Sequence, residues 1–264
     1  MAESNRLKKQ RVAESFSRAA GSYDRVADLQ RQVGQMLVSY LPSIQAERVL
    51  DLGCGTGFFG PILRQCYPQA QLLNLDLAQG MLHYARQHRP VSNAHWLCGD
   101  AEALPLADSS VDLIFSSLAI QWCEQPDLLF SEVQRVLKPG GCFVAATLGP
   151  DTLLELRRAW EAVDDFVHVN RFIPLTDLLV TVPEGLQCVV QQEEQRVLEY
   201  AQLKQLTDEL KELGAHNMNQ GQATGLTGRR QLRQFRNAYE AQRRSDEMLP
   251  ATYQIYYLVF QQAK

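Results

Sequence analysis

The chain has 264 residues, 45% of them apolar and 21% charged, with 26 Lys+Arg against 30 Asp+Glu for a net charge of -4. A mean hydropathy of -0.24 over that length describes an ordinary globular chain with a sizeable core and excludes a disordered, collagen-like or fibrous one. The acidic balance excludes a global positive field for holding nucleic acid, and no apolar run approaches the ~18 residues of a membrane-spanning helix, the nearest being Leu113 to Ile120.

The N-terminus, MAESNRLKKQRVAESF, has neither the apolar block nor the cleavage site of a secretory signal, so a cytoplasmic protein is expected. Residues 5–41 carry helical periodicity, with Val12, Phe16 and Ala19 on one stripe and Val26, Leu29, Val33, Leu37 and Leu41 on another. Gly21-Ser22 is read as the break between two helices, and residues 1–44 as a helical N-terminal extension or lid. From Arg48 short apolar strands alternate with amphipathic helices: RVLDLG, a helix near Phe58–Cys66, AQLLNLDL, a helix at Gln79–His88, and AHWLCGD. SVDLIFSS, a helix at Asp127–Leu137, Pro139-Gly140-Gly141 as a breaker and CFVAATL follow. Five strands separated by helices predict right-handed crossovers and a parallel sheet covered on both faces. Beyond Leu148 the pattern predicts a helix at Asp151–Phe166, a strand at Leu186–Gln192, a helix at Gln202–Leu213, a loop at 214–225, a helix at Gly228–Gln242 and a strand at 251–260. The last two strands are placed at the sheet edge, with 200–249 between them as a helical cap on a single domain, 45–264. The expected fold is therefore α/β, a doubly wound, mostly parallel seven-stranded sheet.

Six cysteines lie scattered without a C-x-x-C pair, so neither a metal site nor a disulfide framework is expected. The strongest motif is VLDLGCGTG at 49–57, in which a strand ends in Asp51 and runs into Gly53, Gly55 and Gly57 before a helix. A dinucleotide fingerprint would place its third glycine at position 58, which is Phe58. With Asp76 and Asp100 ending the next two strands, the set resembles the class I S-adenosylmethionine-dependent methyltransferases. That resemblance implies S-adenosyl-L-methionine as methyl donor. Gly53, Gly55 and Gly57 with Asp51 would cradle its methionine part, Asp76 would take the ribose hydroxyls, and Asp100 with Ala101 would hold the adenine. Leu118, Gln121 and Trp122 stand at the end of strand four, where open α/β sheets bind ligands, although core packing explains an isolated tryptophan equally well.

The segments AGSYDRVADLQ, HVNRF, LKELGAHN, GLTGRRQLRQFRNAYE and LPATYQIYY resemble, in order and spacing, the malonyl-acyl-carrier-protein O-methyltransferase family of biotin synthesis. The resemblance implies methylation of the free carboxyl of a malonyl thioester. A carboxylate is already ionised at pH 7 and needs no general base, in keeping with the lack of any nucleophile–base pair. Arg171 is the first candidate to anchor the malonyl carboxylate, within a cluster of His168, Asn170 and Phe172; Tyr23 and His168 are second candidates. A structural salt bridge is the competing account for Arg171, a loop histidine for His168 and packing for Tyr23. Residues 229–244 hold six arginines against one acid, Glu240. Arg229, Arg233, Arg236 and Arg243 are expected on one helical face, with Arg230 beside them. A solvated face is the usual meaning of such a run; its one-signed charge instead suits an acidic acyl-carrier protein. The protein is expected to be a monomer. Competing functions are methylation of another small acid or quinone precursor, and a non-catalytic S-adenosylmethionine-binding subunit.

Overall fold

The computed structural model describes residues 2–215 and 228–264. Its helices are α1 (Ala2–Val26), α2 (Asp28–Val38), α3 (Gly60–Cys66), α4 (Gln79–His88), α5 (Pro126–Val136), α6 (Leu154–Glu161), α7 (Leu175–Val180), α8 (Leu203–Glu212) and α9 (Arg229–Glu240), with one 3-10 turn at Ile120–Trp122. The strands are β1 (Arg48–Leu52), β2 (Gln71–Asp76), β3 (Ala94–Cys98), β4 (Val111–Ser117), β5 (Leu137–Leu148), β6 (Leu186–Tyr200) and β7 (Leu249–Gln262). They form one sheet in the order β3-β2-β1-β4-β5-β7-β6. The first five pair in parallel, and β7 runs antiparallel between β5 and β6. The doubly wound seven-stranded α/β sheet is thus as expected. Because strand order reverses between β1 and β4, their C-terminal ends open a crevice, and the site lies there.

Burial follows from this layering. A parallel sheet must be covered on both faces, and β1, β4 and β5 read as near-continuous apolar runs for that reason. On one face α2, α3, α6, α8 and α9 pack through residues such as Val33, Leu63, Leu206 and Tyr239. On the other, α5 buries Leu129, Phe130, Val133 and Val136 completely or nearly so. Those four side chains contribute roughly 6–12 kcal/mol before the entropy of ordering is set against them.

Several boundaries differ from the sequence reading. Helix α1 continues through Gly21 and Ser22 and stops at Ala27 (φ -88, ψ 34). Gly21 is solvent-exposed, and the Ser22 hydroxyl donates to the Ala19 carbonyl at 3.0 Å and to the Glu212 carbonyl of α8 at 2.8 Å, so the pair is held in the helix. Pro139-Gly140-Gly141 lies inside β5: Val111 pairs with Leu137 and Leu113 with Cys142, so 138–141 bulges out of the ladder. Helix α6 is shorter than expected because Thr152 is bonded to β7 at Gln254 and Leu153 takes φ +55. Strand β6 extends to Tyr200, well past Gln192, and α7 was not anticipated. Helices α8 and α9 lie between β6 and β7 in the chain, and most of the expected 214–225 loop lies outside the described residues.

Candidate active site

The loop after β1 passes so close beneath the segment after β4 that a Cβ on Gly53 would sit 2.2 Å from Ala119 Cβ, and its φ of +72 is the left-handed region. Glycine alone meets both conditions without strain. Gly55, at φ +52, has open space where a Cβ would point and lines the first of two cavities. Asp76 at the end of β2 also lines this cavity; its carboxylate accepts the Gly55 N–H at 2.8 Å and the Ala78 N–H at 2.7 Å. Burial raises the Asp76 pKa, and the two N–H donors oppose that shift. Asp100 and Ala101 also line this cavity.

Helix α1 forms the roof through Lys9, Val12, Phe16 and Tyr23. Lys9 Nζ is 2.6 Å from both Asp100 Oδ2 and the buried Glu102 Oε2, so the third-strand acid already carries a cationic partner. Ser17 Oγ accepts the Gly80 N–H of α4 at 3.1 Å. Asp51 and Gly57 do not reach the cavity wall: Asp51 lies beneath the loop, 4% exposed, with its Oδ2 unbonded, and Gly57 packs against Ala85 and Trp96. Burial, with Asp76 nearby, pushes the Asp51 carboxyl up to about 8.

A second cavity adjoins the first, and the two share Phe16, Tyr23, Leu118 and Trp122. Trp122 meets Phe16 edge-on at 5.2 Å, so it belongs to the partition between the cavities rather than to the core. The Tyr23 hydroxyl is held protonated, first by burial and then by Asp76 and Asp24. His168 and Asn170 line the second cavity. His168 Nε2 is bonded to Asp164 at 2.7 Å, and its ring stacks on Trp160 at 3.8 Å, which fixes its orientation. Arg171 is exposed and lines a neighbouring groove, with Trp122 and Asn170 at the boundary. Of the 168–172 cluster, His168, Val169, Asn170 and Phe172 line the second cavity and Arg171 does not.

On α9, Arg229, Arg230, Arg233 and Arg236 are all exposed. Arg243 lies beyond the helix end and turns back onto Glu240 at 2.5 Å, so it does not share their face. Lys9, Gln30 and Tyr253 were missed. Lys9 sits within a basic run, and Gln30 and Tyr253 each sit within a segment singled out for its motif, but only the tertiary fold brings them to the cavities.

The first cavity suits S-adenosylmethionine. Its apolar wall of Leu75, Leu77, Met81 and Ile120 accepts a purine. Carboxylates at two strand ends suit hydroxyl and amino donors, and the Ser117 hydroxyl on the wall is buried without a partner. The Asp76 carboxylate on the wall is compatible with a cationic sulfonium, whereas a pyrophosphate would be repelled.

Comparison with known proteins agrees with this geometry. Residues 50–145 match a methyltransferase domain family. The chain is 54% identical over 253 residues to the biotin biosynthesis bifunctional protein BioHC of Cellvibrio japonicus, covering 95% of this chain and 50% of that protein. It is 42% identical over 269 residues to the malonyl-[acyl-carrier protein] O-methyltransferase of Laribacter hongkongensis, covering 97% and 90%. The chain thus spans about half the length of its bifunctional relatives and nearly all of the shorter one. In fold it resembles the YcgJ protein of Bacillus subtilis (TM-score 0.61, 19% identity, covering 89% and 99% of the two chains). It also resembles an S-adenosylmethionine-dependent methyltransferase of Mesorhizobium loti (TM-score 0.51, 21% identity, covering 86% and 96%). With a glycine loop, strand-end acids and two joined cavities in a class I sheet, the chain belongs to the malonyl-acyl-carrier-protein O-methyltransferase family, enzymes that use S-adenosylmethionine as methyl donor.

Proposed function

We propose that the protein methylates the free carboxyl of a malonyl thioester, the step that prepares a pimeloyl precursor of biotin. The observation that carries this reading is the junction of the two cavities at Phe16, Tyr23, Leu118 and Trp122. Gly53, Gly55, Asp76, Asp100 and Ala101 would hold S-adenosylmethionine, which would supply an activated methyl group. The second cavity then delivers an acceptor on a long, largely apolar path past Leu29, Leu156 and Leu210. A carboxylate oxygen forms the new bond to the methyl carbon while the carbon–sulfur bond breaks; charge on both sides is neutralised and no proton moves, so no general base is needed.

The protein's contribution is alignment and exclusion of water. Phe16, Tyr23 and Trp122 form an aromatic partition that strips solvent from the meeting point, where a desolvated carboxylate is a stronger nucleophile. Arg171 has no ion-pair partner among the described residues and lines the groove that meets the second cavity at Trp122 and Asn170; it is the cation we assign to the malonyl carboxylate, which would have to reach it across that boundary, with His168 and Asn170 on the cavity side. The exposed arginines Arg229, Arg230, Arg233 and Arg236 stand on α9, which packs beside α8; Thr207, Leu210 and Lys211 of α8 line the second cavity. An acidic acyl-carrier protein docked there would present its acylated arm to that opening.

The test is transfer of labelled methyl from S-adenosylmethionine to malonyl-acyl-carrier protein, with malonyl-coenzyme A and acetyl-acyl-carrier protein alongside and mild base afterwards. Base-labile label on malonyl substrates alone is the expected result. Label that resists base, or none from protein that binds the cofactor, would refute carboxyl methylation.

A further inference from the structure

Eight buried side-chain nitrogen or oxygen atoms among the described residues make no hydrogen bond, and three of them, Gln30 Oε1, Gln121 Oε1 and Tyr253 Oη, belong to residues lining the second cavity. They come from α2, the 3-10 turn and β7, elements far apart in sequence. Each such atom costs on the order of 1–3 kcal/mol when it is removed from water without a partner. A wall needed only for packing would carry leucine or phenylalanine at these positions, as its neighbours Leu29, Leu118 and Leu156 do.

Tyr253 stands out among the buried tyrosines around it. Tyr200 donates to Glu209, Tyr239 to the Pro250 carbonyl and Tyr257 to Glu194, whereas the Tyr253 hydroxyl, in a residue 4% exposed, has no acceptor. Burial, and then Glu209, keeps it protonated, so it is a neutral donor throughout the working pH range. Gln121 is fixed in the complementary sense. Its Nε2 donates to the Leu118 carbonyl at 2.7 Å, which leaves Oε1 as a free acceptor.

We propose that Gln30, Gln121 and Tyr253 recognise the arm of an acyl-pantetheine thioester in the second cavity: the Tyr253 hydroxyl donates to a carbonyl oxygen, and the glutamine oxygens accept amide N–H groups. A pantetheine arm is an apolar chain interrupted by amides and ending in a thioester, and the cavity has the same character, apolar with isolated hydrogen-bonding atoms. The assignment rests on the malonyl-thioester reading above and deepens it by naming how the arm is held. Because carrier protein and coenzyme A share this arm, both should be affected alike.

Tyr253→Phe and Gln30→Leu test it; each removes an unpaired polar atom with little change of volume. Steady-state kinetics on malonyl-acyl-carrier protein and malonyl-coenzyme A would be read beside cofactor affinity by calorimetry and thermal melting. The expected pattern is a Tm equal to or above wild type, unchanged cofactor affinity, and kcat/KM lower by roughly 5- to 20-fold on both thioesters. A structural role would instead lower Tm and kcat/KM together. That outcome, an unchanged kcat/KM, or a loss confined to the carrier-protein substrate would each overturn the assignment. Wild-type turnover in the same assay tests the parent reading separately.

Discussion

Removing the Arg89 guanidinium should loosen cofactor binding while leaving the sheet folded. Arg89 caps the end of α4, and its Nη2 donates to Asp24 Oδ2 and its Nη1 to the Thr56 carbonyl, both at 2.7 Å. Thr56 Oγ1 closes the triangle by donating to Asp24 Oδ1 at 2.8 Å, and the guanidinium stands 5.4 Å from the Phe58 ring centroid. Asp24 follows Tyr23 directly, so this cluster pins the end of α1 to the glycine loop. Two charge-assisted hydrogen bonds of about 1.5–3 kcal/mol each, discounted because both side chains are about a fifth exposed (22% and 23%), leave about 2 kcal/mol. If that energy seats α1 over the cofactor, Arg89→Ala should weaken S-adenosylmethionine binding about thirty-fold. Arg89→Lys, which cannot span both acceptors with a planar fork, should fall between. Calorimetric titration, at a temperature where the variant's far-ultraviolet dichroism matches wild type, gives the affinity. Hydrogen exchange should quicken in α1 and not in β1 or β4. A folded Arg89→Ala protein that binds the cofactor within two-fold of wild type would refute the reasoning.

Gly53→Ala should destabilise the protein by roughly 2–4 kcal/mol, about 1 from its positive φ and the remainder from contact with Ala119; adding Ala119→Gly should recover the contact part in urea melts, and strictly additive effects would argue against it. Asp51→Asn should gain stability relative to wild type as pH rises. Burial raises the folded-state pKa to about 8 from the ordinary carboxyl value of 3.8, so wild type loses stability as pH climbs from about 4 through 8, and the variant does not. A Tm difference that stays constant from pH 5 to 8 would contradict this. Arg233→Glu with Arg236→Glu should slow turnover of the carrier-protein substrate, most clearly at low salt, and spare malonyl-coenzyme A; equal losses on both would remove α9 as the docking face.

The alternation of β1 to β5 with helices was legible in the sequence because each strand is a short apolar run bounded by turn residues and each helix keeps a single buried stripe. The glycine loop was legible because both backbone constraints at Gly53 leave a residue-type signature. Edge strand β6 was cut short for the opposite reason: QEEQRVLEY is half-exposed, and its pairing with β7 rather than its own apolar content makes it a strand. Gly21-Ser22 looked like a break because propensity is local, whereas α8 accepts the Ser22 hydroxyl from 190 residues away. The motif containing Arg171 signalled a functional cluster without saying which side chains turn inward. Gln30 and Tyr253 could not have been paired at all, since 223 residues separate them in the chain.

The roof over the first cavity suggests why so much of the site lies outside the sheet. Lys9 on Asp100 and Glu102, Ser17 on Gly80, and Asp24 on Arg89 and Thr56 fasten one long helix at three separate points around the first cavity. Between the last two anchors lies Tyr23, and about two turns before it Phe16 faces Trp122. Both residues wall the two cavities, so the helix that covers the donor also builds the boundary at which donor and acceptor meet. On the proposed reading the acceptor is already ionised, so the chemistry asks for no proton carrier and the polar groups serve to hold two ligands end to end. The same proposal puts substrate choice in the second cavity and its mouth, where an apolar wall, a few unpaired hydrogen-bonding atoms and an arginine-bearing helix would suit an acyl group carried on a long amide-containing arm.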